Sequence, residues 1–324
     1  MLIQLPIILT DSDIDAELKK VDIKNILNTA FISLYNNEAT QPSQTLTLFP
    51  GGRGDFITYL GVLATLGVFG AKLSPYITDG PKPLVTAWTI LMSMKTGQPI
   101  LLCDSARLTS ERTAGTTALA VDRLAKKDSQ ILAVLGSGRL ALAHLKHVAT
   151  LRAWQEIRVF SPKLNDSPQR LKDFQAVAPK GVKVLVSSEA RQAVGNADVV
   201  MLATSSGTPV IDVKDVKNGA LITSISTNAP KAHEIDPKSL ADLEVYCDYA
   251  PTTPMTAGEM VIAREAGLWS EESLKGDLPA LCAGKVSVIH SERPIFFRSV
   301  GLGLEDVAIA YALYQAASGK SHVD

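Results

Sequence analysis

A chain of 324 residues, 46% of them hydrophobic, can bury a sizeable core, and at roughly 150 residues per domain it holds about two domains. Thirty-two basic residues against 33 acidic ones leave a formal charge of -1, too weak a field to gather nucleic acid or coat an anionic membrane, so small molecules are the expected partners. No run of about 18 apolar residues reads as a membrane span, and Cys103, Cys247 and Cys282 are too scattered for a disulfide framework or a metal site, which predicts reduced thiols, a cytoplasmic location and no structural metal.

The stretch from Met1 to Thr10 is apolar but lacks a basic leader and soon meets Asp11 and Asp13, so it reads as a strand rather than a signal peptide. Residues 12–36 carry a helical period through Ile14, Leu18, Val21, Ile23, Ile26 and Leu27, with Asp11 or Ser12 as cap. Short β-rich runs at 45–49, 56–60, 68–73, 88–92 and 100–103 predict an antiparallel sheet. Thr109 or Ser110 then caps an expected helix through Ala114, Ala118, Leu119, Val121 and Leu124.

A different regime begins at Ile131-Leu132-Ala133-Val134-Leu135, an apolar run that leads into Gly136-Ser137-Gly138 and a helix over about 139–152. Apolar runs at 157–160, 182–186, 199–203, 221–225 and 244–247 alternate with helical stretches or turns, as a parallel doubly wound sheet requires. A final helix over 303–317 is too short to stand alone and is expected to return to the first domain. The predicted class is α/β, a Rossmann doubly wound domain over 116–303 with a discontinuous α+β domain over 1–115 and 304–324 for substrate binding and dimerisation.

Gly136, Gly138 and Ala141 form a G-x-G-x-x-A pattern between strand and helix. The first glycine permits the tight turn and the second lets backbone approach a pyrophosphate. The helix N-terminus, at Arg139 and Leu140, then offers unpaired N–H groups to the anion. About 20 residues on, an NAD site ordinarily places an acid on the ribose hydroxyls; Ser161-Pro162-Lys163 stands there instead. A hydroxyl and an ammonium suit a 2′-phosphate, which favours NADPH over NADH; the competing reading makes Lys163 a solvated lysine and gives the ribose to Asp166. Thr204, Ser205 and Ser206 follow a later strand and are expected to line the nicotinamide-ribose side, unless their hydroxyls only bond their own turn. His144, His147, His233, His290 and His322 lack partners at ligand spacing and read as surface or packing residues.

Several segments together resemble the ornithine cyclodeaminase and mu-crystallin family. They are Gly70-Ala71-Lys72-Leu73, residues 108–114 with Glu111-Arg112, the Gly136 turn, Asn196-Ala197-Asp198-Val199-Val200, and residues 294–306 from Pro294 to Asp306. The resemblance implies a homodimer whose first domain is completed by the C-terminal helix. It also implies that Lys72 and Arg112 face the nicotinamide and hold a substrate carboxylate, Arg as a bidentate fork and Lys as a point charge able to move a proton. The competing readings are a snorkelling strand lysine and a surface ion pair of Arg112 beside Glu111.

Two departures matter. Deaminating members carry an aspartate where this chain has Asn228, within Ser226-Thr227-Asn228-Ala229-Pro230, and asparagine can hydrogen-bond but cannot accept a proton as a base. Gln44 stands where many members have an arginine, and Arg53 in the Gly51-Gly52-Arg53-Gly54 turn is the candidate compensating contact to the carboxylate, with a plain surface turn as the competing reading. The resulting expectation is an imine reductase that uses NADPH on a small cyclic ketimine such as pyrroline-2-carboxylate, giving L-proline. Its rivals are an ornithine cyclodeaminase, an alanine- or opine-type dehydrogenase, and a crystallin-like protein that binds NADPH without turnover.

Overall fold

The computed structural model describes residues 5–162, 164, 167–226, 231–288 and 290–319. The chain divides into two compact units, 1–112 with 301–324, and 113–300.

In the first unit, β1 (Ile7–Leu9) leads into α1 (Asp11–Leu18) and α2 (Ile23–Tyr35). The single helix expected over 12–36 is therefore two. Asp22 accepts from Asn25 N at 3.1 Å and caps a fresh start, although the apolar period runs on through Val21 and Ile23. The cap of α1 is Thr10 rather than Asp11 or Ser12, with Thr10 N donating to Asp13 Oδ2 at 2.9 Å. Then come β2 (Ala39–Thr40), β3 (Thr45–Leu48), β4 (Gly54–Leu63), β5 (Val68–Ile77), β6 (Leu84–Val85), β7 (Trp88–Ser93) and β8 (Pro99–Asp104).

These strands form one sheet in the order β1-β8-β7-β5-β4-β2, with β3 on β4 and β6 on β5; all pairs are antiparallel except β1 with β8. Alternation sends Tyr59, Leu63, Val68, Lys72, Thr89 and Leu91 to a buried face and leaves Leu60, Phe69, Leu73, Trp88 and Ile90 36–46% exposed on the other. α9 (Gly303–Ser318) covers the buried face, apolar and buried along most of its length. Two glycines let it lie close. A Cβ on Gly61 would sit 2.7 Å from Leu304 Cα, and one on Gly303 would sit 2.5 Å from Leu60 N.

Helix α3 (Ala106–Leu124) starts three residues before the expected cap. Asp104 Oδ1 accepts from Ala106 N at 2.9 Å and starts the helix from the end of β8, so Thr109 and Ser110 lie inside it. Ser110 Oγ donates back to Ala106 O.

The second unit runs β9 (Ile131–Leu135), α4 (Arg139–Val148), β10 (Glu156–Phe160), α5 (Pro168–Val177), β11 (Lys183–Val186), α6 (Ala190–Val194), β12 (Val199–Leu202) and β13 (Leu221–Ser224). It continues through β14 (Glu244–Cys247), α7 (Gly258–Glu265), β15 (Gly276–Asp277), α8 (Leu278–Cys282) and β16 (Ile295–Arg298). Among the described residues its eight strands are all parallel, in the order β11-β10-β9-β12-β13-β16-β14-β15. The strand order reverses between β9 and β12, the switch point beside which open α/β sheets hold ligands. β16 and β15 are strands the periodicity does not reveal, and β16 inserts between β13 and β14.

Asp198 explains one recurrent segment structurally. Its carboxylate accepts from Gln130 N at 2.8 Å and Ile131 N at 2.9 Å, tying the start of β9 to β12, while Asn196 turns the chain at φ +60. The core against the sheet is largely aliphatic, with Val200, Ile222 and Val245 wholly buried together with the aromatic Phe296.

Candidate functional site

Lys72 lies in the middle of β5, directly opposite Tyr59 on β4, and its side chain is only 1% exposed. A buried ammonium needs partners. Its Nζ sits 2.8 Å from Asp306 Oδ2, 3.4 Å from Thr109 Oγ1 and 4.2 Å from the centre of the Tyr59 ring. Arg112, on the α3 turn that follows Thr109, donates Nη1 to Glu305 Oε2 at 2.7 Å and Nε to Asp306 Oδ1 at 3.2 Å. The two cations thus share one carboxylate, presented by the first turn of α9. The Gly61 and Gly303 contacts bring that turn down onto the sheet, so the tight backbone packing also places the charges.

Burial lowers the Lys72 pKa to about 8, with Asp306 pulling the other way. Burial also works against the Arg112 charge, but Asp306 and Glu305 outweigh it and the guanidinium is held more firmly protonated than usual. Arg112 is therefore a fixed charge, whereas Lys72 can give up its proton near neutral pH. Gly301 belongs to this cluster: at φ +81, a Cβ there would meet the Arg112 guanidinium, with Nη2 at 2.9 Å.

Arg53 stands elsewhere. Its exposed side chain bonds Pro50 O at 3.2 Å and lies 4.0 Å from Asp79, six residues along from Tyr59, or about 20 Å of strand. Gln44 is half-buried on the short strand-to-strand connection before β3. Gln41 has a clear structural role, its Oε1 accepting from Leu304 N at 2.8 Å at the start of α9.

In the second unit the glycine turn stands at the C-terminal end of β9. Gly136, at φ +122, donates its N–H to Phe160 O at 2.9 Å, and a Cβ on it would strike Ala203 O, with Ala203 C at 3.0 Å. Gly138 differs: it caps α4, and beyond its own chain neighbours no atom of the described residues lies within 4 Å of where its Cβ would be. α4 has neither a side-chain cap nor an acid in its first turn, so the N–H groups at Arg139 and Leu140 face an open cradle that suits an anion. Ala141 is buried beneath the turn. Ser137 Oγ donates to Ser161 Oγ at 3.0 Å, joining the turn to the end of β10. Lys163 lies outside the described residues, as do Asp166 and Asn228.

Thr204, Ser205 and Ser206 follow β12. Thr204 Oγ1 donates to Glu234 Oε1 at 2.7 Å, and Ser206 Oγ donates to Thr208 O at 2.7 Å, so these two hydroxyls organise the turn while Ser205 is exposed. Glu234 is a residue the sequence does not point to. Wholly buried, it also accepts from Thr204 N, Ser224 Oγ and Ser226 N at 2.7–3.0 Å, binding together the chain ends that leave β12 and β13. No spacing rule marks a lone acid of this kind. His144 is a packing residue: Nδ1 donates to Leu140 O at 2.7 Å, which leaves Nε2 to accept from Thr117, and burial holds the ring neutral with a pKa of about 4.

The model of the ornithine cyclodeaminase/mu-crystallin family matches residues 5–321. The chain belongs to that family. Among its relatives, the NAD(P)H-dependent anabolic L-arginine dehydrogenase of Pseudomonas aeruginosa is 51% identical, over 96% of this chain and 97% of its own length. The delta(1)-pyrroline-2-carboxylate reductase of Colwellia psychrerythraea is 27% identical over 76% of this chain and 80% of its own. A likeness of fold extends to the Thermococcus litoralis delta(1)-pyrroline-2-carboxylate reductase solved with NADH and L-proline, with a TM-score of 0.88, 24% identity, and 96% and 97% of the two chains covered. Of the family positions that the motifs single out, Lys72 and Arg112 form the buried cluster of the first unit, and Gly136 and Gly138 form the cradle of the second.

Proposed function

We propose that this chain is an NAD(P)H-dependent oxidoreductase that reduces the C=N bond at C2 of an α-imino acid to the amino acid. The observation that carries this reading is the buried Lys72 and Arg112 pair, one cation with a movable proton and one without, backed by Glu305 and Asp306. A cofactor bearing a pyrophosphate fits the second unit, because the open space over Gly138 and the uncapped start of α4 offer donors and, among the described residues, no competing side chain. When bound, a reduced nicotinamide supplies the hydride.

The residues of the first unit do the rest. A guanidinium has five N–H donors, more than Glu305 and Asp306 occupy, so Arg112 can fork onto the substrate carboxylate. Two cations and two anions balance in the cluster, and an arriving carboxylate tips it negative, which favours the protonated form of Lys72. Lys72 then delivers its proton to the nitrogen as C2 accepts the hydride, so imine, hydride and proton give the amine. No base is required to begin, and Asn228 in place of an aspartate fits reduction better than deamination.

The 51% relative moves the favoured substrate from the cyclic ketimine expected from the sequence to an acyclic one, the imine that the 2-oxo acid of arginine forms with ammonia. Pyrroline-2-carboxylate is the second reading, supported by the Colwellia relative. NAD(P)H oxidation assayed with each substrate separates them: ammonium-dependent turnover of the 2-oxo acid supports the first, and faster turnover of pyrroline-2-carboxylate the second.

The apolar sheet face bearing Leu60, Phe69, Leu73, Trp88 and Ile90 supports a homodimer, since a contiguous patch of such side chains on one sheet is costly to leave in water.

A further inference from the structure

We infer that Arg170 is the residue that selects the 2′-phosphate of NADPH. This rests on the dinucleotide reading above and assigns a role to a residue that no motif marks. Arg170 lies in the first turn of α5, and its Nη1 donates to Ser137 Oγ at 3.2 Å. Ser137 in turn donates to Ser161 at the end of β10. One guanidinium and two hydroxyls therefore converge where the sheet-end position after β10 would receive the adenosine ribose. An acid at that position would take the ribose diol and repel a phosphate. This chain has Ser161 there.

The placement of the cation is informative in itself. A helix N-terminus carries partial positive charge and ordinarily attracts acids, yet the first turn of α5 holds no acidic residue and presents Arg170. Cation, helix end and hydroxyls all favour an incoming dianion. A guanidinium also binds phosphate bidentately, which an ammonium cannot. The exposed side chain has no packing duty to explain its direction.

The test uses the full chain with Arg170→Ala and Arg170→Lys, and titrates 2′,5′-ADP against ADP by calorimetry beside NADPH against NADH. Arg170→Ala should weaken 2′,5′-ADP and NADPH by about tenfold to a hundredfold and leave ADP and NADH within about twofold. Arg170→Lys should recover part of the loss. Equal losses for all four ligands, or none, overturn the inference. A wild-type chain that binds ADP and NADH as tightly as the phosphorylated pair also overturns it, while leaving hydride transfer intact. Failure to bind any of the four would instead remove the dinucleotide reading, and the inference with it.

Discussion

Lys72 Nζ and Asp306 Oδ2 stand 2.8 Å apart with both side chains out of solvent, joining the middle of β5 to the first turn of α9 across more than two hundred residues of sequence. The pair keeps an ammonium inside the protein without fixing its proton, because burial lowers the Lys72 pKa to about 8 against the pull of Asp306.

The first prediction is a pH profile. If protonated Lys72 holds and feeds the substrate, kcat/KM for reduction should fall as pH rises through about 8, and the limb in kcat should lie higher because bound carboxylate raises the Lys72 pKa. Lys72→Met should abolish that limb and reduce kcat by roughly a hundredfold or more. The stability effect has the opposite sign. The folded pKa lies below the ordinary 10.5, so the unfolded chain binds more protons between about 8 and 10.5, and the Lys72 contribution to stability rises with pH across that window. Denaturant titrations of wild type and Lys72→Met at pH 7 and 10 measure the difference.

Close backbone contact between β4 and α9 is the basis of a second prediction. Gly61→Ala places a methyl 2.7 Å from Leu304 Cα, where only backbone can yield, and should cost about 1–3 kcal/mol of stability while lifting Asp306 away from Lys72. Thermal melting, with the pH limb as a second readout, tests both consequences.

The two glycines of the phosphate turn should behave differently. Gly136→Ala strains a positive φ and collides with the Ala203 carbonyl, so it should lower the melting temperature. Gly138→Ala meets nothing among the described residues and should leave stability within about 0.5 kcal/mol, yet weaken NADPH binding by about tenfold or more because its methyl fills the anion's approach. Melting curves and cofactor titrations on both variants distinguish the roles.

A charged residue on the apolar sheet face should dissociate the proposed dimer. Ile90→Asp, on the exposed side of β7, is expected to shift the light-scattering mass from two chains to one without unfolding the sheet.

The features of the protein legible in its sequence are those carried by local patterns. Gly136 and Gly138 announce the turn because strand, glycine and helix follow one another within ten residues. The antiparallel strands announce themselves by alternation. What escaped was set by distance or by competing local signals. Asp22 breaks the opening helix inside an unbroken apolar period. Asp104 starts α3 before the better-looking Thr109 and Ser110. Glu305 and Asp306 lie in a segment that the sequence marks only by its family resemblance, and their role emerges when packing sets them against Lys72 and Arg112. Glu234 acquires a role only because four donors from two separate chain ends meet on it.

The most direct test is NADPH oxidation by the purified chain with the 2-oxo acid of arginine and ammonium, with the amino acid product identified by chromatography. The expected result is ammonium-dependent oxidation that yields one amino acid per NADPH and is lost in Lys72→Met and Arg112→Ala. Tight NADPH binding with no oxidation in the presence of that substrate or of pyrroline-2-carboxylate would contradict it and leave a dinucleotide-binding protein in its place.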